Sequence, residues 1–372
     1  MAKILHTIPA LDGGGADRVI FDYTVRMIPD LEFDFIVHSE DKGILEEELL
    51  NKGCQIFHVP SLKTSGLFKY IKSLYRIMRN NQYDIIHVSQ GYWGFAFIII
   101  AFVLGIKIRI AHAHMAYVPE NRYQTIKRKI FSALTRLFAT DLFACGIDSA
   151  CWMWGEKNYK NNNIHIMSNA IDGTKFIFNS KLRQKLRQEW KVESNFVIGN
   201  VGRLECQKNQ LFLVNLFSEI LKIAPHSRLM LIGRGSLESQ LREKVHELGI
   251  DDFVIFTGVR DDVHKLLNLM DVFVLPSLFE GFPITLIEAQ MNGLPIVVSS
   301  NITNESKFSE LYTSLPLNID LKEWAKEIVG FNDTRVAVDK TIQMQRDVNY
   351  LAPIQKSWYV RRLESLEKKS NK

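Results

Sequence analysis

Residues 271–300 read DVFVLPSLFEGFPITLIEAQMNGLPIVVSS. An apolar run, 271–277, ends at a loop carrying Glu280, Gly281, Phe282 and Pro283. A helical stretch begins near Ile284, and PIVVSS (295–300) is apolar again. Neither strand alternates polar with apolar residues, so both belong to a parallel sheet buried on its two faces. A strand, a helix of about ten residues and a second strand make one βαβ unit.

The same pattern extends toward the N-terminus. FVIGNVG (196–202), SRLMLIG (227–233) and DFVIFTG (252–258) are strands, each followed by a helical run. A second series precedes it: KILHTI (3–8), FDFIVHS (33–39), CQIFHVP (54–60), YDIIHVS (83–89), KIRIAHAH (107–114), DLFACG (141–146) and NNIHIMSNAI (162–171). Residues 174–194, polar and basic, read as a connection between the two series. The tail from Pro353 reads as an amphipathic helix. Two successive series predict an α/β chain with two Rossmann-like, doubly wound parallel-sheet domains facing across a cleft. The expected boundaries are 1–178 for the first domain, joined by a C-terminal helix at about 352–372, and 179–351 for the second.

The 372 residues are 47% hydrophobic and 23% charged, enough to build two ordinary cores. The four cysteines have neither CxxC nor zinc spacing and read as reduced thiols. MAKILHTIPA is a first strand rather than a signal peptide. Phe95 to Leu104 is too short to span a bilayer and reads as a buried helix. Twelve basic residues, from Lys63 to Arg136, face two acids in that window, Asp84 and Glu120. That skew favours an anionic partner such as a membrane surface. No basic-aromatic pattern of a nucleic-acid module is present, so nucleic acid is not expected.

Ligands of open parallel sheets bind beyond the carboxyl ends of the strands. The loops there hold the chemistry. Unpaired N–H groups at a helix starting near Ile284 suit a diphosphate. Glu280 and Glu288 lie about 12 Å apart along a helix axis, too far for an acid/base dyad. They suit an extended, hydroxyl-bearing ligand. Arg203 and Lys208 share the loop after 196–202 and suit two phosphates. With no Asp-rich metal motif, no metal is expected, and these cations can serve a leaving diphosphate. Gly233 and Gly235 form a turn, and Gly14 and Gly15 open the first helix. His112 and His114 alternate on one strand and share a face. His112 reads as an ordinary buried histidine, while His114 sits at the strand end.

This combination resembles the retaining glycosyltransferases of family 4, which have the GT-B fold, and within them the capsule and exopolysaccharide branch. The matching residues are Gly14-Gly15, His114, Asn169, Asp172, Phe176, Arg203 to Lys208, Gly233, Gly235, Leu237 and Glu280 to Glu288. The resemblance implies a nucleoside-diphosphate sugar, most simply a UDP-sugar, as donor substrate, with no separate cofactor. It implies transfer to a lipid-linked or glycan acceptor in bacterial surface polysaccharide synthesis. Arg203 and Lys208 would hold the diphosphate, Glu288 the ribose, and Glu280 and His114 the transferred sugar. Phe282, Pro283 and Ile284 would line the pocket, and Val259 and Arg260 would lie near the base. The expected location is the cytoplasmic face of the plasma membrane, with basic N-terminal helices on anionic lipid. Two other readings are a sugar-nucleotide 2-epimerase and an inactive glycan- or membrane-binding relative.

Overall fold

The computed structural model describes residues 1–28, 30–115, 121–331, 334–337 and 339–370. Glu120, Asn371, Lys372 and the Lys63 side chain lie outside them. The chain divides into two compact units, residues 1–171 with 345–372, and residues 172–344. The crossing from one to the other thus comes several residues before the expected position at 178/179, and the return comes before 352. Ile171 is the reason: its N–H donates to the Arg346 carbonyl at 3.1 Å, and Val348 N–H donates back to Ile171 O at 2.9 Å. That exchange clamps both passages at the edge of the first unit.

The first unit is a seven-stranded parallel sheet in the order β3-β2-β1-β4-β5-β6-β7. Its strands are β1 (Lys3–Thr7), β2 (Glu32–Val37), β3 (Gln55–His58), β4 (Ile85–Val88), β5 (Ile108–Ala113), β6 (Asp141–Ala144) and β7 (Ile164–Ile166). Helix α1 (Gly15–Met27) follows β1. Helices α2 (Leu67–Asn81), α3 (Phe95–Val103), α4 (Arg122–Phe138) and α5 (Ile147–Trp154) belong to the later crossovers.

Strand alternation divides the core. Leu5, Ile36, Ile86, Val88, Ala111, Ala113 and Ala144 pack against Tyr70, Leu74 and Met78 of α2, Phe97, Ile98 and Ala101 of α3, and Trp154 of α5. The expected apolar helix is therefore α3, buried on its sheet side. The intervening positions carry rings, among them His6, Phe35, His87, His112, Phe143 and His165. The helix Val348–Ser370 covers that face, placing Trp358 and Tyr359 against Phe143 and His87. It is fixed at its rim by Arg362 to Asp141 at 2.9 Å and Lys356 to Asp30 at 2.6 Å. Packing of the final helix on the first unit is thus a matter of ring burial, and its rim ion pairs add little.

The second unit is a six-stranded parallel sheet, β10-β9-β8-β11-β12-β13. The strands are β8 (Phe196–Val201), β9 (Ser227–Ile232), β10 (Val254–Gly258), β11 (Val272–Leu275), β12 (Ile296–Ser299) and β13 (Tyr312–Leu315). Residues 174–194 are not a mere connection. They contain α6 (Ser180–Glu189), whose Arg183 and Arg187 both reach Asp271. Arg187 also donates to Leu269 O at 2.7 Å. The polar, basic composition reads as a connection, but planar guanidinium groups can be buried where a carboxylate and carbonyls accept from them. Two further helices matter for the site: α7 (Gln210–Ile223) after β8, and α8 (Ile284–Met291) after β11. Strand β13 is short, lies at the edge, and carries too little apolar run to be read beforehand.

Candidate donor site

In each sheet the strand order reverses once, and the reversal is where a parallel sheet opens to a ligand. In the second unit it falls between β8 and β11. The loops after those two strands hold Arg203, Lys208 and Glu280, and the structure ties the loops together. Leu278 N–H donates to Gln207 O at 2.8 Å. Asn209 Nδ2 donates to Pro276 O at 3.1 Å, and Gln207 Nε2 to Phe279 O at 3.0 Å. Asn209 takes a left-handed conformation, φ 56°, at the start of α7. Asparagine tolerates that region better than most residues.

Lys208 and Glu280 meet directly, Nζ to Oε1 at 2.6 Å, with side chains 14% and 7% exposed. The sequence reading assigned them to different parts of a ligand and did not foresee the pair. The two assignments remain compatible, because an ammonium has three protons and the pair uses one. Arg203 is exposed and donates to no acceptor among the described residues. A fixed cation and a free one thus stand on one loop.

Helix α8 begins as the spacing predicts. Pro283 is its N-cap, with no side chain capping the first turn. The early N–H groups and the positive end of the helix dipole are left for an anion. Phe282 and Ile284 are buried, Gly281 is half-buried in the loop, and Glu288 is half-buried one turn further on. Thr285 went unnoticed in the sequence. Its Oγ1 is buried, without a partner among the described residues, in that first turn. The available signal was a hydroxyl residue beside the predicted anion site.

Gly233 and Gly235 have a packing reason for their identity. A Cβ at Gly233 would lie 2.0 Å from Gly202 O, and one at Gly235 would lie 2.2 Å from Leu204 O. Gly233 also has φ +138°. These glycines let the loop after β9 close on the loop carrying Arg203. Leu204 N–H then donates to Arg234 O at 3.0 Å, and Leu237 N–H to Leu204 O at 3.0 Å. After β10, Val259 is exposed, and Arg260 makes a two-point contact with Asp262 at 2.8 and 2.7 Å.

In the first unit the order reverses between β1 and β4. Gly14 caps α1 through its carbonyl, which accepts from Arg18 N–H at 2.8 Å, and Gly15 is the first helical residue. The left-handed position in this loop belongs to Gly13, φ +79°. His114 follows β5. Neither of its ring nitrogens has a partner among the described residues, and burial lowers its pKa to about 4. His112 is the more deeply buried of the two, and burial holds it neutral first, with the neighbouring histidines adding to the effect.

Two family models cover most of the chain. Residues 13–175 match "Glycosyltransferase Family 4", and residues 195–329 match "Glycosyl transferases group 1". EpsF of Bacillus subtilis is 28% identical over 88% of this chain and 86% of its own. The capsular polysaccharide biosynthesis glycosyltransferase CapH of Staphylococcus aureus is 25% identical over 94% and 98%. The UDP-Gal:alpha-D-GlcNAc-diphosphoundecaprenol alpha-1,3-galactosyltransferase of Escherichia coli is 26% identical over 90% and 89%. In fold, the chain is similar to Anabaena HepE crystallised with UDP-glucose, with a TM-score of 0.79 at 18% identity over 97% and 100% of the two chains. With both sheets reversing where the motif residues lie, and both family models matched, the chain belongs to glycosyltransferase family 4 and is a glycosyltransferase of GT-B fold.

Proposed function

We propose that this enzyme takes a sugar from a UDP-sugar and transfers it, with retention, to a lipid-linked or glycan acceptor in surface polysaccharide synthesis. The observation that carries the reading is the joining of the β8 and β11 loops through Lys208 and Glu280, beside the uncapped start of α8. Arg203 and the two remaining Lys208 protons face the diphosphate, with the Gly281 to Ile284 backbone. Thr285 adds a hydroxyl. Glu280 takes a sugar hydroxyl with the lone pairs the lysine leaves, and Glu288 takes the ribose. Val259 and Arg260 border the base. In the first unit, Gly14, Gly15 and His114 are the residues we assign to the transferred sugar. The cations stabilise charge as the diphosphate leaves, and the departing phosphate accepts the acceptor's proton on the same face. HepE with UDP-glucose, and the name of the E. coli relative, support a UDP donor and a lipid diphosphate acceptor. The test is incubation with UDP-glucose, UDP-galactose and UDP-N-acetylglucosamine, with free UDP measured. Slow release from one of them is expected. Release from none, with the folded protein at micromolar concentration, would contradict the reading.

The surface of the first unit supports docking on an anionic membrane. No helix among the described residues is long and apolar enough to cross one. Helix α4 instead exposes an apolar row, Tyr123, Ile126, Ile130 and Leu137, at steps of three, four and seven. Arg122 and Lys129 are exposed beside it, and residues 121–140 contain no acid. Phe68, 82% exposed, stands on α2 with Lys69 and Lys72. Apolar rows with basic borders suit the headgroup boundary, where each cation contributes about 1 kcal/mol on anionic lipid. Co-sedimentation with phosphatidylglycerol vesicles should exceed that with phosphatidylcholine, fall with salt, and be lost in Ile126→Asp/Ile130→Asp. Equal binding to both vesicles would contradict the docking.

A further inference from the structure

The face of the first sheet beneath the C-terminal helix is lined by imidazoles. His6 of β1 stacks on His87 of β4, with centroids 4.6 Å apart. His87 Nε2 lies 3.0 Å from His112 Nδ1, and His87 Nδ1 lies 2.7 Å from the Tyr359 hydroxyl. The His112 ring is 3.9 Å from that of His114. Hydrogen bonds thus run from the C-terminal helix through two fully buried histidines, and a ring contact without a hydrogen bond joins the second of them to the histidine at the carboxyl edge of β5.

Apolar packing does not account for it. Phe33, Phe35 and Phe143 fill the same face without burying ring nitrogens. No group of three His, Cys, Asp or Glu among the described residues could hold a metal ion. What a hydrogen-bonded run of neutral imidazoles does provide is direction. Each ring has one N–H, so every gap holds one proton and all donors point the same way. Tyr359 sets that direction. Burial raises its pKa, so the phenol keeps its proton, and a phenol is a better donor than acceptor toward an imidazole nitrogen. Tyr359 O–H donates to His87 Nδ1, and His87 Nε2–H donates to His112 Nδ1. His112 is left with its proton on Nε2, a nitrogen with no partner among the described residues.

We propose that Tyr359, His87 and His112 are positioning residues for His114, holding His112 in its Nε2–H tautomer so that its ring fixes the orientation of the His114 imidazole. The inference rests on the reading that His114 meets the transferred sugar. It makes the C-terminal helix part of the sugar site's construction, through a ring 245 positions away in the chain from His114 (359 − 114).

The experiment uses the full chain labelled with ¹⁵N-histidine. Nitrogen shifts should show the wild-type His112 as Nε2–H and Tyr359→Phe as a mixture of tautomers. With whichever of the three UDP-sugars the enzyme hydrolyses, Tyr359→Phe should lower kcat about tenfold, the scale of a small misplacement. KM for the donor should change less than twofold. His87→Asn should give the same split. Phe35→Leu is the control: Phe35 packs on the same face against His6 and has no polar atom in the chain of donors. It should lower the melting temperature and leave kcat unchanged. Unaltered tautomers and kcat in Tyr359→Phe would overturn the proposal, as would a fall in Phe35→Leu that tracks its loss of stability. If His114→Ala hydrolyses donor normally, the sugar-site reading fails, whatever the tautomers show.

Discussion

Lowering the pH from 7.5 to 5.5 is expected to destabilise the first unit by several kcal/mol. His6, His87 and His112 are fully buried and His114 is half-buried with both ring nitrogens covered, and burial is the leading cause holding each of them neutral. His6 is lowered to about 3 and His114 to about 4, while His87 and His112 lie well below the ordinary value. In the unfolded chain each titrates near pH 6.5. Between that value and the folded values the unfolded state binds more protons, so stability is complete above about pH 7 and falls as the pH drops. A histidine that stays neutral in the folded state throughout contributes a loss of about 1.4 kcal/mol over these two pH units. His58 works in the opposite direction, raised by its hydrogen bond to Ser39 O and by Glu46, but it is one group and partly exposed. His165 is lowered too, so five against one leaves a net loss as the pH falls, large beside the marginal stability of a domain. Urea titrations followed by circular dichroism should show the midpoint falling sharply at pH 5.5. Coincident curves at the two pH values would mean that the four rings are not buried together as described.

Lys208→Ala is expected to lower turnover of the UDP-sugar by roughly a hundredfold to a thousandfold, the effect of removing one donor aimed at developing charge. Two losses combine. The leaving diphosphate loses a cation, and Glu280, 8% exposed, loses the partner that compensates its burial. An unpaired buried carboxylate is costly, so the β11 loop should also loosen. Glu280→Gln separates the effects, because the amide keeps the shape and a hydrogen bond to Lys208 while removing the charge. It should bind UDP nearly as the wild type does and still transfer poorly. Parallel steady-state measurements on the two variants check this. Lys208→Ala with wild-type kcat would remove the lysine from the chemistry.

Much of this was legible in the residues. Uninterrupted apolar runs such as 272–275 and 296–299 mark buried parallel strands, because both faces demand the same side chains. The loop from Glu280 to Pro283 announced itself through a proline at a helix start. The Lys208–Glu280 pair was not legible, since strand order brings β8 beside β11 only after folding, and 72 positions separate the two residues. The same holds for the histidines: His6, His87, His112 and His165 lie on four strands, and only the sheet collects them. The close backbone approach of Gly233 to Gly202 was not legible either, since the two lie on different strand-end loops that meet only in the fold. In 174–194, composition pointed to a solvated connection, whereas Asp271, far along the chain, gave its arginines a buried partner.

The central claim is that the nucleotide diphosphate is held where the β8 and β11 loops join. Calorimetric titration of UDP into the full-length wild type and Arg203→Ala tests it most directly. The Arg203 side chain is exposed and hydrogen-bonded to no described residue, and its carbonyl contacts survive substitution, so its removal should leave the melting temperature unchanged. A charged hydrogen bond to phosphate contributes about 1.5–3 kcal/mol, so UDP should bind roughly ten to a hundred times more weakly to the variant. Equal affinity in the two proteins would contradict the account and move the diphosphate away from this loop.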